Sequence, residues 1–385
     1  MPVSLAILSG KGGSGKTILS ISLALLLAAC EYRVLLIDCD IATHSSAYFF
    51  KDHPLNRQSN GENSIHIHTT HELMYGSDMY PSTINPLKVS SNFDFIPSRV
   101  DFLIDHPQCE SISKSRFDHI FNYNLAKDYD IIIYDCQSGY SVVTELVLQY
   151  THRVLTVIEA DLISKYALLT LKDKFKQLST LPTYQVFNKV TEKEYDLYSK
   201  LHDETIFTNL TPIIFHWSIK GAFVRNQLPS MDATNLMLTN SIYLLAVDLF
   251  PEHKHQLHSF ALNLMENAIK DSDDKLKDIK EKRKNYNLGI AISAMFIVLA
   301  LSLISIASIF PDIFSLPFAL AFLISLMMTI ALASGVLIVF SQKNKAINKE
   351  RSVYIDKRKK LETALYEVTE KLKCTYNTLE EISVP

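Results

Sequence analysis

Four of the chain's ten glycines, Gly10, Gly12, Gly13 and Gly15, fall within six residues. A sequence this sparing with glycine has concentrated it where the backbone must turn tightly and approach another group closely. Before the cluster, Val3 to Leu8 form a short apolar run; after it, Ile18 to Ala29 form a longer one. The order is strand, glycine loop, helix. Between them Gly10 to Thr17 fit the pattern G-x-x-x-x-G-K-[ST], in which consecutive backbone N–H groups and a helix N-terminus cradle phosphate oxygens. The spacing assigns Gly10, Lys11, Gly12, Gly13, Ser14, Gly15, Lys16, Thr17 and Ile18 to nucleotide binding. Lys16 is expected to reach the β- and γ-phosphates, and Thr17 to ligate Mg²⁺. ATP and Mg²⁺ are the implied cofactors.

Carboxylates follow at the matching places. The apolar run Arg33 to Ile37 ends in Asp38-Cys39-Asp40, and Ile131 to Tyr134 ends in Asp135, with Gly139 four residues on. In open α/β sheets such strand ends line the crevice where ligands bind. Asp135 fits a Walker B position that holds Mg²⁺ through water, with the Gly139 amide meeting the γ-phosphate. Further strands are expected at Arg153–Ile158, Tyr184–Asn188 and Thr211–Phe215, and helices around Ser141–Tyr150 and Ser164–Leu178. Strands alternating with helices predict a doubly wound, mostly parallel α/β sheet. Gln58 to Glu62 reads as an exposed polar loop.

With 385 residues, more than one domain is expected. Lys and Arg number 38 against 41 Asp and Glu, so no global cationic field argues for nucleic acid as a partner. Five cysteines with no C-x-x-C pair read as reduced thiols, not as a disulfide framework or zinc site. The first residues carry no cationic stretch followed by a cleavable apolar run, so export is not expected.

Lys11 in K-G-G-S-G-K-T, with Asp38-x-Asp40 and Asp135, resembles the deviant Walker A motif of the ParA/MinD group of P-loop ATPases. The resemblance spans Met1 to about Glu266. It implies a homodimer that sandwiches two ATP molecules, with Lys11 crossing to the partner's phosphates. It further implies that Asp40 polarises the attacking water, that Asp38 supports Mg²⁺, and that Asn188 in V-F-N-K contacts adenine. Pro212 to Pro229, with Arg225, is similar to the segment that lines the base. A second cation beside the triphosphate would also offset charge developing as the γ-phosphoryl group leaves. Lys11, Lys16 and Asp40 are therefore the expected catalytic residues. Gln137 stands where the family often has proline, so hydrolysis is expected to be slow or stimulated by a partner.

The last third of the chain is different material. From Leu288 to Phe340 the only charge is Asp312. As one helix these residues would extend about 80 Å, far beyond a hydrocarbon core of roughly 30 Å. Pro311 and Pro317 mark a turn between two spans, 288–310 and 318–340. Lysines and arginines flank the outer ends and not the turn, so both termini are expected in the cytosol of a bacterial cell, with the spans in its inner membrane. The expected domains are an ATPase domain at 1–270, a helical stalk at 271–287, the transmembrane hairpin at 288–340 and a cytosolic tail at 341–385. In the tail, Leu361, Leu365, Val368, Leu372, Thr375, Leu379 and Ile382 alternate spacings of four and three. Two readings of that pattern stand: a coiled coil within the dimer or with a protein partner, or an amphipathic helix lying on the ATPase domain.

The function expected is a membrane-anchored, ATP-hydrolysing switch that dimerises around ATP and positions or regulates partner proteins. Two alternatives remain at this stage, a bacterial tyrosine autokinase-like regulator and an ATP-sensing subunit of a larger membrane complex.

Overall fold

The computed structural model describes residues 2–41, 67–75, 84–98, 117, 127–201, 206–214, 228, 231, 236–309 and 316–382. The polar loop at 58–62, the turn at 310–315, Cys109, Phe215 and most of the segment 212–229 lie outside the described residues. The chain forms two compact units, Met1–Ala261 and Leu262–Pro385.

The first unit is built on strands that read as continuous apolar runs. These are β1 (Val3–Leu8), β2 (Val34–Cys39) and β5 (Ile131–Cys136), of which β2 and β5 are buried at every residue. Such strands have no solvent face and belong at the centre of a parallel sheet. With β3 (Leu87–Lys88), β4 (Phe93–Ile96), β6 (Arg153–Ile158), β7 (Thr183–Val190), β8 (Thr208–Asn209) and β9 (Ile213–Ile214) they form one sheet of nine strands among the described residues. Its order is β3-β4-β2-β5-β1-β6-β7-β8, with β9 also on β7. Every pairing is parallel except β3 with β4. The sheet is the mostly parallel one that the sequence predicts.

Helix α1 (Lys16–Ala29) is apolar almost all round and correspondingly buried, packing against the sheet and α6 (Leu236–Leu249). It stops where Glu31 takes a left-handed conformation, φ 67°, and the Tyr32 N–H reaches back to the Leu27 carbonyl at 3.2 Å. This six-to-one closure satisfies a terminal carbonyl and turns the chain sharply enough for β2 to begin at Val34. The remaining helices of the unit are α2 (Thr70–Tyr75), α3 (Val142–Leu148), α4 (Leu162–Lys174) and α5 (Glu192–Leu201).

Two long helices, α7 (Lys254–Ile309) and α8 (Leu316–Ile382), make up the second unit, apart from the first residues of α7. Their contacts within that unit run antiparallel. Arg358 pairs with Asp273 at 3.1 Å, Asn344 donates to Asn287 at 2.8 Å, and the Phe340 ring packs on Gly289 and Tyr286. On α7, Met265, Ala268, Ser272, Ile279 and Ser293 are buried; on α8, Leu326, Ile347 and Leu361 are. Spacings near multiples of seven put each set on one stripe of its helix. Leu361, the first position of the four-and-three pattern read in the tail, lies on this stripe; the side chains of its later positions, Leu365 to Ile382, lie outside those described. Leu288, Met295, Val298, Met328, Leu332 and Val339 stay exposed on the other sides. Among the described residues one helical stretch, Ser325–Thr363, is long and apolar enough to cross a membrane.

Ile133 stands in the middle of β5 with no exposed surface. Ile133→Ala is expected to cost about 2–5 kcal/mol of unfolding free energy for the first unit, measured by urea denaturation.

Candidate functional site

The glycine loop lies at the carboxyl end of β1, between the ends of β5 and β6. Three of its glycines are required by geometry. A Cβ on Gly10 would stand 2.6 Å from the Ala167 backbone on α4. One on Gly15, φ 90°, would stand 2.4 Å from the Asn188 Nδ2. Gly13 has φ 81°, a region L-residues rarely enter. At Gly12 and Gly13 the Cβ direction is open space, so the loop leaves a hollow.

Gly15 occupies the N-cap position of α1 and no side chain caps the helix. The first-turn N–H groups, which have no partner inside a helix, therefore face the loop. The Ser14 hydroxyl is buried there with no hydrogen-bond partner. An amide nest, a helix N-terminus and an orphaned hydroxyl fit a phosphate chain.

Beneath the loop, Lys16 is 4% exposed and Asp135 fully enclosed, their charges 3.2 Å apart. The Ser20 hydroxyl, with one hydrogen to give, lies 3.2 Å from the same Asp135 oxygen and 3.0 Å from the Lys16 carbonyl and shares its donation between them. Burial works against the Lys16 ammonium, but the charges of Asp135 and Asp40 more than offset it and hold its pKa above the usual lysine value. Asp38 is opposite Asp135 in the β2–β5 register. Its carboxylate accepts the Asp40 N–H at 3.0 Å and the Ser98 hydroxyl at 2.9 Å. Burial, followed by the charge of Asp135, pushes the Asp38 pKa up to about 7 against the pull of those two hydrogen bonds. Asp40 is buried beside them. Three carboxylates therefore meet one ammonium, leaving a net negative site suited to a divalent cation. No group of three His, Cys, Asp or Glu among the described residues is arranged to hold a metal alone. Mg²⁺, which keeps several waters and takes few protein ligands beside phosphates, does not need such a group.

The sequence-predicted residues thus converge, with two of them placed in unexpected company. Asn188, expected to contact adenine, donates to the Ser14 carbonyl at 2.8 Å. Lys11 donates to Glu159 at 2.9 Å and Asp161 at 3.0 Å, and these carboxylates, Glu159 first, raise its pKa. Lys189, at φ 59°, bonds the Gly13 carbonyl and pairs with the other Glu159 oxygen. Gly139 donates to the Ser9 carbonyl at 2.9 Å, tying the loop after β5 to the glycine loop.

Sequence reasoning missed Ser98, Glu159, Asp161 and Lys189. For Asp161 a signal existed, since D-L-I-S is a helix-start pattern and its carboxylate caps α4 through the Ser164 N–H at 2.7 Å. Ser98 and Glu159 carry none, because only strand order brings them near.

Comparison with known proteins bears on the same region. Residues 3–187 match the family model described as the AAA domain. A protein of Guillardia theta named after the septum site-determining protein MinD is 29% identical over 133 residues, 34% of this chain and 44% of that one. The chain therefore matches less than half the length of that relative. MinD of Pyrococcus horikoshii, solved with Mg-ADP, superposes with a TM-score of 0.51 at 17% identity, covering 66% of this chain and 99% of its own. MinD in the MinC:MinD complex of Aquifex aeolicus gives 0.51 at 16% identity, covering 65% and 96%. The fold of the first unit is the MinD fold. At these identities the likeness carries the arrangement of strands and loops and nothing finer.

Two outcomes test the geometry. Gly10→Ala and Gly15→Ala should each destabilise the nucleotide-free protein and weaken nucleotide binding, whereas Gly12→Ala should leave nucleotide-free stability within about 0.5 kcal/mol; thermal melts with titrations of a fluorescent nucleotide read both. An unfolded aspartate titrates near 3.9, so between about pH 4 and pH 7 the folded state holds an extra proton on Asp38. Stability without nucleotide or divalent cation should therefore fall as pH rises through that window and level off above it. Asp38→Asn should remove that part of the slope and be more stable than wild type at pH 8.

Proposed function

We propose that this protein is an ATP-binding and hydrolysing switch that dimerises around nucleotide and works on protein partners from a membrane. The single observation that carries the reading is the glycine loop at the end of β1 with Lys16 and Asp135 paired beneath it. In this reading Gly10 to Ile18 hold the phosphates, and Lys16 leaves Asp135 for the β- and γ-oxygens. Thr17 and Asp135 would hold Mg²⁺, and Asp38 would support them from behind. Mg²⁺ held there would supply positive charge to offset what develops on the phosphates. Asp40 orients the attacking water, and Gly139 presents its amide to the terminal phosphate.

Dimerisation is supported by what flanks the loop. The segments after β5 and β6 each begin with a group bonded to the glycine loop. Each then presents large apolar side chains to solvent: Tyr140 and Val142 on one side, Leu162, Ile163 and Tyr166 on the other. Apolar side chains ringing a charged site suit a second copy placed face to face. Lys11 is free to cross at small expense, because its two ion pairs are a quarter to a third exposed and such pairs are worth about 0.2–1 kcal/mol each. Asn188 meets the base by the same family resemblance while its amide also braces the loop.

Membrane anchoring by two spans, 288–310 and 318–340, rests on the near absence of charge there and on the exposed apolar sides of α7 and α8. A water-facing helix pair would not carry such surface. The cationic flanks support a topology with both termini in the cytosol. The stripe shared by 262–287 and 342–361 reads as an antiparallel coiled coil whose continuation past Leu361 is offered to a protein partner.

The test measures turnover and oligomeric state in detergent with and without Mg-ATP. Wild type should hydrolyse ATP and dimerise with it. Lys16→Ala should do neither, with turnover at least about 100-fold lower. Asp40→Ala should dimerise while turning over about 10²–10⁴-fold more slowly. ATP without effect on assembly or turnover would overturn the switch reading. Alkaline carbonate washing tests the anchor separately: the protein should stay in the membrane pellet, and its release would refute the two spans.

A further inference from the structure

Along α8, within the second unit, Met328, Ala331, Leu332, Gly335, Val336, Val339, Phe340 and Lys343 line an open groove of about 780 Å³. It exists because the helix is small on this face. Gly335 has nothing within 4 Å of its Cβ direction, while Phe340 is drawn aside against the Gly289 backbone and the Tyr286 ring. The floor is therefore fixed by packing and the opening faces outward.

The groove has a polarity. Seven of its eight residues are apolar and the charge sits at one end, on Lys343. From Met328 to Phe340 is about 18 Å of helix, close to the depth of one leaflet of a hydrocarbon core of about 30 Å. The charged end also has the character of a headgroup layer. The Lys343 ammonium lies 5.8 Å over the Tyr286 ring, and Asn344 and Asn287 bond beside it at 2.8 Å. Segments 275–287 and 341–354 carry ten Lys or Arg against three Asp or Glu. Among the described residues Lys343, Lys345, Lys284 and Arg283 pair with no carboxylate. An unneutralised cation at the mouth of an apolar slot one leaflet deep calls for an anion attached to a hydrocarbon chain.

We propose that this groove is a binding site for one anionic phospholipid of the cytosolic leaflet, an acyl chain lying along Met328 to Phe340 and the phosphate at Lys343. The proposal rests on the membrane-anchored reading above. A second copy's helix is the competing occupant, but it would run through both leaflets, whereas these lining residues cover one and end in a charge.

Native mass spectrometry of the full chain in detergent, titrated with phosphatidylglycerol or phosphatidylcholine of identical acyl chains, tests it. Wild type should retain one phosphatidylglycerol in preference to phosphatidylcholine. Lys343→Ala should weaken that binding about fivefold, the share of one juxtamembrane cation. Gly335→Leu, whose side chain enters open space and so leaves the fold intact, should abolish it. Lys349→Ala, outside the groove, should change it less than Lys343→Ala. Equal retention of the two lipids, or undiminished phosphatidylglycerol binding in Gly335→Leu, would overturn the proposal. So would loss of dimer in Gly335→Leu with lipid binding unchanged, which would make the groove a helix–helix contact. Carbonate release of wild type would instead defeat the anchor, a failure distinct from an inserted chain that shows no lipid preference.

Discussion

The buried contact between Lys16 and Asp135 is the constraint around which the first unit is arranged. An ammonium and a carboxylate taken out of water repay their desolvation only with good geometry and further hydrogen bonds. Ser20 supplies one of these from the next turn of α1. Yet the site is not balanced, since Asp38 and Asp40 are buried beside the pair. The imbalance shows in Asp38, whose carboxyl holds its proton up to about pH 7. A protein optimised for stability alone would bury hydrocarbon there. The excess of negative charge makes sense as a site completed by a divalent cation and the phosphates it accompanies, which would draw Lys16 away from Asp135 and let Asp38 ionise.

The glycine loop translates that charge arrangement into shape. Loop amides can point inward only if loop carbonyls point outward, and outward carbonyls need donors. Asn188 and Lys189 at the end of β7 provide them to Ser14 and Gly13, and Gly15 must lack a Cβ for Asn188 to come so close. Glu159 then connects Lys189 to Lys11. The loop is thus held from outside by residues more than 140 positions later, which couples its conformation to the loop after β6.

In the second unit a different physics dominates. Its stripe of buried positions follows the 3.5-residue period along both helices, and the residues off the stripe change from charged near Asp273 and Arg358 to wholly apolar near Met295 and Met328. What changes along them is the solvent each outer face is suited to. Lys343 and Tyr286 mark the transition.

The sequence by itself determined the sheet and the core of the site. Gly10 to Thr17 could be read because phosphate-binding loops need contiguous residues, and β2 and β5 because strands buried on both faces are uninterrupted apolar runs. Their carboxylates followed, since Asp38 and Asp135 terminate those runs. The two apolar stretches were equally plain, because a missing charge needs no partner to be noticed. Only the tertiary structure decided the company each residue keeps. That Asp38 lies opposite Asp135 depends on β5 inserting between β1 and β2, and β3 and β4 were too short to declare themselves. Ser98, Glu159, Asp161 and Lys189 reach the loop across strand order, which no local period records. The contacts of Asn344 and Arg358 with Asn287 and Asp273 of α7 were likewise invisible, because a polar side chain does not record its partner in the sequence.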